Sequence, residues 1–134
     1  MRLYRDNFKP SPEHPAPYAI LGTAVVCADT DDEADRLART VDLNIVRRNK
    51  GEYLPLASPD EAAAYPFSPA ENAVIAKNRA KMSVGSPQTV RAKLTPLIEA
   101  TKADEVMVTT MVFDHGARKR SYELLAQAFG LTAR

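Results

Sequence analysis

Apolar residues along this chain form two nearly continuous runs, at residues 18–28 and 106–112. A strand that is covered on both faces shows such a run, because neither of its faces meets water. The chain therefore predicts about two buried parallel strands. Gly22 lies in the middle of the first run, where a glycine indicates a bulge or the close approach of another backbone.

Helical spacing of the apolar residues accounts for most of the remaining chain. Residues 2–8 are typical of the last turns of a helix, and residues 29–51 predict a long helix with an acidic first turn and Gly51 at its end. Residues 51–68 predict an irregular insertion with about one helical turn at 60–64. The sequence leaves open whether this insertion is a lid over a site or a contact between subunits.

Three further helix starts carry capping residues. Ser68-Pro69 predicts a helix through about Met82, Ser86-Pro87 begins the helix that precedes the second strand, and Asp114 caps a final helix that ends at Gly130. Strand, helices, strand and helix make a parallel crossover unit. We therefore expect an α/β fold in a single domain over residues 1–134, and self-association, because two strands alone leave unpaired edges.

Composition and charge exclude several classes of partner. The chain has 134 residues, of which 45% are hydrophobic and 26% charged, and its net charge of +1 gives no general attraction to nucleic acid or to anionic membranes. No apolar run approaches the ~20 residues needed to span a bilayer, and the polar start has no signal-peptide core, so we expect a cytoplasmic protein. Cys27 is the single cysteine, and its apolar surroundings favour a buried thiol over a reactive nucleophile.

Candidate site residues follow the two helix starts nearest the second strand. Gly85-Ser86 opens a helix whose free amides suit a phosphate, although plain helix capping explains the same residues. His115 is placed to exchange a proton near neutral pH, whereas the alternative is a local hydrogen bond beside the Asp114 cap. His14 and His115 lack the spacing of metal ligands, so we expect no metal site.

Five ordered stretches resemble the C-terminal part of the bacterial luciferase-like, flavin-dependent monooxygenase family. They are Tyr4-Arg5-Asp6-Asn7-Phe8-Lys9-Pro10-Ser11, Pro17-Tyr18 with Ala28-Asp29-Thr30-Asp31-Asp32-Glu33-Ala34, Val84-Gly85-Ser86-Pro87-Gln88-Thr89-Val90, Ala103-Asp104-Glu105-Val106-Met107-Val108, and Asp114-His115-Gly116-Ala117-Arg118-Lys119-Arg120-Ser121-Tyr122-Glu123-Leu124-Leu125. No single stretch is specific, but together they span nearly the whole chain in the right order.

The resemblance implies part of a TIM barrel that binds reduced flavin mononucleotide (FMN), or a deazaflavin in a sister branch. Members of the family use oxygen to oxidise aldehydes, alkanes or sulfonates. Their positions at the two helix starts make Gly85, Ser86, Asp114 and Arg118 the candidate cofactor contacts, and His115 is kept as a catalytic candidate at the mouth of such a barrel.

A complete barrel takes ~250 residues, so this chain resembles only the last two strands with their helices. We expect a C-terminal portion that is inactive unless another chain or a second copy completes the barrel. The alternative is a non-catalytic remnant that acts as a dimeric interaction module.

Overall fold

The computed structural model describes residues 1–132 and contains six helices and three strands in that part of the chain. No helix among these residues is long and apolar enough to cross a membrane. The elements are α1 (Arg2–Asp6), β1 (Ile20–Cys27), α2 (Asp31–Asn49), α3 (Pro59–Ala64), α4 (Pro69–Arg79), β2 (Met82–Gly85), α5 (Pro87–Thr101), β3 (Glu105–Thr109) and α6 (His115–Ala128).

The sheet is parallel and has the strand order β2-β1-β3, with β1 at its centre. Ala24 is the point of overlap, since it lies opposite Met82 on one side and Thr109 on the other. The prediction of about two strands was wrong by one, because the sequence pattern ends one helix near Met82 and caps the next at Ser86 with no strand between them. Four residues are too few for periodicity to distinguish strand from helix, and the pairing with β1 decides their conformation.

Helices cover both faces of the sheet. Val25 and Cys27 pack against Val90 and Leu94 of α5 and against α6, whereas Val26, the neighbour of Val25, packs against α2. Successive strand residues point to opposite faces, so α2 lies on one face and α5 and α6 lie on the other. The result is a layered α/β fold, as the sequence predicted at that level. In a β/α barrel, strands that follow one another in the chain pair with each other. The order β2-β1-β3 differs from this, because β2 and β3 do not pair.

Residues 51–68 pack on the second half of α2. Leu43 of α2 is fully buried against Ala57 and Ala62, and Arg47 forms an ion pair with Glu61 of α3. Since α2 begins where β1 ends, its second half lies toward the opposite end of the sheet. The insertion therefore packs against α2 and does not cover the carboxyl ends of the strands.

Candidate functional site at the carboxyl edge of the sheet

The three turns that follow the strands meet at one edge of the sheet, because all three strands are parallel. Asp29 and Thr30 follow β1, Ser86 follows β2, and residues 110–114 follow β3. In open parallel sheets, ligands bind at this carboxyl edge, where the strand order reverses. Here the order reverses between β1 and β3.

β1 and β3 separate at this edge. Side chains of α6 accept hydrogen bonds from the backbone amides that no longer pair between the two strands. The ladder between the two strands ends at Ala24 and Thr109. Beyond it, the amide of Thr110 donates to the Tyr122 hydroxyl at 3.0 Å, and the amide of Cys27 donates to the Ser121 hydroxyl at 2.9 Å. This divergence explains why β3 stops at Thr109 and not at residue 112, where its apolar run ends.

Thr110 carries a buried hydroxyl at the point of divergence. Its side chain is 6% exposed, and its Oγ1 atom has no hydrogen-bond partner among the described residues. Buried hydroxyl groups are ordinarily hydrogen-bonded. Thr110 is therefore a polar group of this edge with unused bonding capacity.

Asp29 connects the turn after β1 to α6. Its carboxylate accepts hydrogen bonds from Arg120, with the Nη2 contact at 2.6 Å. The hydrogen bond from Arg120 lowers the pKa of Asp29, and the carboxylate also holds the guanidinium in its charged form. Both side chains are largely exposed, so water screens the pair and its main effect is positional.

Asp31 connects the same turn to the start of α5. Its Oδ1 atom accepts from the Ser86 amide at 2.6 Å, and its Oδ2 atom accepts from the Thr89 hydroxyl at 3.1 Å. Both hydrogen bonds lower the pKa of Asp31, and the one from the Ser86 amide has the larger effect. Ser86 caps α5 as predicted, since its hydroxyl accepts from the Thr89 amide. A carboxylate thus lies at the helix end that the sequence offered to a phosphate.

His115, Asp114 and Arg118 share the first turn of α6. Asp114 caps the helix by accepting from the Ala117 amide at 2.6 Å, as predicted. Nδ1 of His115 lies 2.8 Å from a guanidinium nitrogen of Arg118. Because arginine only donates, Nδ1 accepts, and the neutral ring then carries its proton on Nε2. In this arrangement the Nε2–H group of His115 is free to donate, and the lone pair of Nδ1 is used by Arg118. This contact is the local hydrogen bond that the sequence left open as the alternative.

The five predicted site residues form two groups on either side of β1. Gly85 and Ser86 follow β2, whereas Asp114, His115 and Arg118 follow β3. Strands in a sheet are ~4.8 Å apart, so about 10 Å separates the two outer strands.

The contacts that join this edge come from Asp29 and Asp31 instead, residues that the sequence indicates only as part of the acidic, capped start of a helix. Their position directly after a buried strand was the available signal.

Cys27 ends β1 on the face covered by α5 and α6. Its side chain is 1% exposed, and burial raises the pKa of the thiol to about 11. A thiol with so high a pKa is almost wholly protonated at neutral pH and is a poor nucleophile. The geometry therefore agrees with the buried thiol that the sequence favoured.

The chain resembles several proteins of known sequence, and no family model matches it. It is 41% identical over 96% of its length to the uncharacterized protein YceB of Bacillus subtilis, and 34% identical over 92% to a luciferase-like monooxygenase of Escherichia coli K12. The crystal structure of apo-MsnO8 matches 99% of the chain with a TM-score of 0.88 and 39% identity.

These matches cover only part of each relative. The chain spans 39% of YceB, 37% of the Escherichia coli protein and 41% of the MsnO8 chain, or about two fifths of the length of the relatives it matches. The similarities support a broad monooxygenase-like family and an α/β fold shared with MsnO8.

Proposed function

We propose that this chain is a portion of a flavin-dependent luciferase-like monooxygenase whose cofactor site is completed by polypeptide outside these residues. The observation that carries the proposal is the 34% identity to the Escherichia coli luciferase-like monooxygenase over 92% of the chain. The carboxyl edge of the sheet supplies a suitable location, since α/β folds bind their ligands there. Flavin dependence itself comes from the family resemblance.

In this proposal, the predicted cofactor residues supply only part of a flavin site. A phosphate near Gly85 and Ser86 would meet the Asp31 carboxylate, which already accepts from the Ser86 amide. At α6, the Asp114 carboxylate takes the Ala117 amide, and Arg118 is directed to His115. Arg118 is the cation of this set, and it is exposed. We therefore propose that the residues that bind the flavin ring, and most of the phosphate contacts, lie beyond this chain.

An uncovered part of the sheet offers the surface on which such polypeptide would pack. On the face that α2 covers only in part, Ile20 is 46% exposed and Met107 is 54% exposed, and Met111, two residues beyond the end of β3, is 50% exposed. We name these three residues the open sheet face. Gly22 lies opposite Met107 in the same face, and a Cβ at this position would have no atom within 4 Å among the described residues. Removing methionine and isoleucine side chains from water lowers the free energy, so this surface favours contact with a partner that covers it.

The finer proposal is that this covering completes a β/α barrel, through a second copy or through the remaining strands of a longer polypeptide. Such a barrel would require β2 to pair with β3, whereas here both pair with β1. A crystal structure of the longer polypeptide would show which pairing holds. A β1–β3 pairing retained there would exclude the barrel while leaving the monooxygenase proposal intact.

A chimera tests the functional proposal directly. The matching 124-residue segment of the Escherichia coli protein is replaced by this chain, and FMN binding is followed by quenching of flavin fluorescence. We expect saturable binding and reductase-coupled oxygen consumption by the chimera, and neither by the chain alone. A folded chimera that binds no FMN, beside a parent protein that does, would contradict flavin dependence and favour a non-catalytic interaction module.

Self-association is tested on the same surface. Met107→Lys places a charge on the open sheet face without entering a packed core, so it should abolish any dimer seen by sedimentation equilibrium and leave the unfolding midpoint nearly unchanged. Lys119→Glu, on the exposed first turn of α6, is the matched control and should leave the association unaltered. A wild-type chain that stays monomeric at micromolar concentration would exclude the second copy as the covering partner.

A further inference from the structure

The carboxylate of Asp31 lies at the N-terminus of α5. Asp31 lies at the first position of α2, yet its carboxylate reaches across the edge of the sheet to the Ser86 amide and the Thr89 hydroxyl. Gly85 makes this approach possible, because a Cβ on that residue would lie 2.8 Å from Asp31 Oδ1. The carboxylate therefore sits against the backbone at the point where a bound phosphate would have to lie.

Two amides that a phosphate would use at this helix end, those of Ser86 and Thr89, are already engaged, and the Gln88 amide remains. Pro87 has no amide hydrogen, the Ser86 amide donates to Asp31, and the Thr89 amide donates to the Ser86 hydroxyl. A phosphate would also stand beside the Asp31 charge. The two like charges would repel each other, and a phosphate dianion would be repelled more strongly than a monoanion.

We propose that Asp31 closes the N-terminus of α5 to anionic ligands, so that the phosphate of a cofactor is held elsewhere. The carboxylate acts as a built-in substitute for that phosphate, and it fixes the turn after β1 to the turn after β2. Naming the flavin phosphate as the excluded anion rests on the proposed function. The exclusion itself rests only on the contacts of Asp31, and it holds for inorganic phosphate as well.

Amide chemical shifts of the ¹⁵N-labelled chain during titration with inorganic phosphate provide the test. In the wild-type protein, we expect no saturable shift of the Ser86 and Thr89 amides. In Asp31→Ala, both amides should shift saturably, with at least a tenfold gain in apparent affinity, which corresponds to about 1.4 kcal/mol. Asp31→Asn removes the charge but keeps an acceptor for the Ser86 amide, and it should show a smaller gain in a fold close to the wild type.

Asp32→Ala is the matched control, since Asp32 is a neighbouring exposed acidic residue in the same helical turn. It removes the same charge from the helix end and should leave phosphate binding at Ser86 as weak as in the wild type. A saturable Ser86 shift in the wild-type protein would overturn the inference, as would the absence of any gain in both folded Asp31 variants. An equal gain in Asp32→Ala would also overturn it, because net charge alone would then explain the effect.

Failure of this inference is distinguishable from failure of the proposed function. The titration contains no flavin, so its outcome does not depend on whether the chimera binds FMN. A wild-type chain that binds phosphate at Ser86 would remove the role of Asp31 and leave the monooxygenase proposal standing. A chimera without FMN binding would remove the cofactor and leave the closed helix end intact.

Discussion

Gly85 and Gly22 both lie in strands of the sheet, but alanine at the two positions should have opposite effects. Gly85 has a φ of +152°, and a Cβ there would lie 2.5 Å from Thr89 Cγ2, 2.7 Å from Thr89 Cβ and 2.8 Å from Asp31 Oδ1. Gly22 has no positive φ, and a Cβ built on it has no atom within 4 Å. Gly22→Ala therefore serves as the control for Gly85→Ala.

The magnitude follows from two terms. Forcing a side chain into a sparsely populated backbone conformation costs about 1–3 kcal/mol, and overpacking a close contact adds about 1–3 kcal/mol. Gly85→Ala should therefore lower the free energy of unfolding by roughly 2–6 kcal/mol. Gly22→Ala should raise it by about 0.5–1 kcal/mol, because alanine loses less backbone entropy than glycine on folding.

Urea unfolding followed by circular dichroism measures both variants. With a slope of about 1–3 kcal/mol per molar urea, Gly85→Ala should lower the midpoint by about 1 M or more, and Gly22→Ala should raise it slightly. Thr89→Ser removes the Cγ2 atom but keeps the hydroxyl that donates to Asp31, so it should restore part of the loss in the double variant. Equal midpoints for the two alanine variants would refute the reasoning, as would a double variant no more stable than Gly85→Ala.

Three other changes probe single contacts. Asp42→Ala removes a 4%-exposed carboxylate that accepts two 2.7 Å hydrogen bonds from Arg79, and it should cost about 3 kcal/mol in urea unfolding. Ser121→Ala leaves the Cys27 amide without its acceptor, so it should cost about 1–3 kcal/mol and speed hydrogen exchange at that amide. The hydrogen bond from Lys50 chiefly lowers the pKa of Glu71 to about 2. The stability that Glu71→Gln removes should therefore be full above pH 4.5 and vanish as the pH falls toward 2, in urea unfolding at several pH values.

Local chemistry explains what the sequence predicted correctly. The caps at Ser68, Ser86 and Asp114 each accept from an amide three residues ahead, so the sequence neighbourhood contains the whole interaction. The long apolar run of β1 likewise identifies a strand covered on both faces. These features depend on few neighbouring residues, so they can be predicted without knowledge of the fold.

Non-local pairing explains what the sequence did not reveal. β2 is a four-residue strand that becomes recognisable only beside β1, and the strand order depends on which edges meet. The contacts of the candidate site are of the same kind. Asp31 meets Ser86 across 55 residues, and Asp29 meets Arg120 across 91. No spacing rule connects such pairs, because only the folded sheet brings them to one edge.

The central position of β1 gives these two carboxylates a common consequence. Asp29 holds the turn after β1 to α6, and Asp31 holds the same turn to α5, so one short turn fastens the helices that follow both outer strands. One ion pair and two hydrogen bonds within the chain thereby engage these two carboxylates, whereas the Thr110 hydroxyl at the same edge has no partner among the described residues. The open sheet face differs, since its apolar side chains are about half exposed to solvent in the part of the chain that the structure describes. Under the proposed function, this chain would support a flavin site that other polypeptide completes, and the open sheet face is the surface that we propose for contact with that polypeptide.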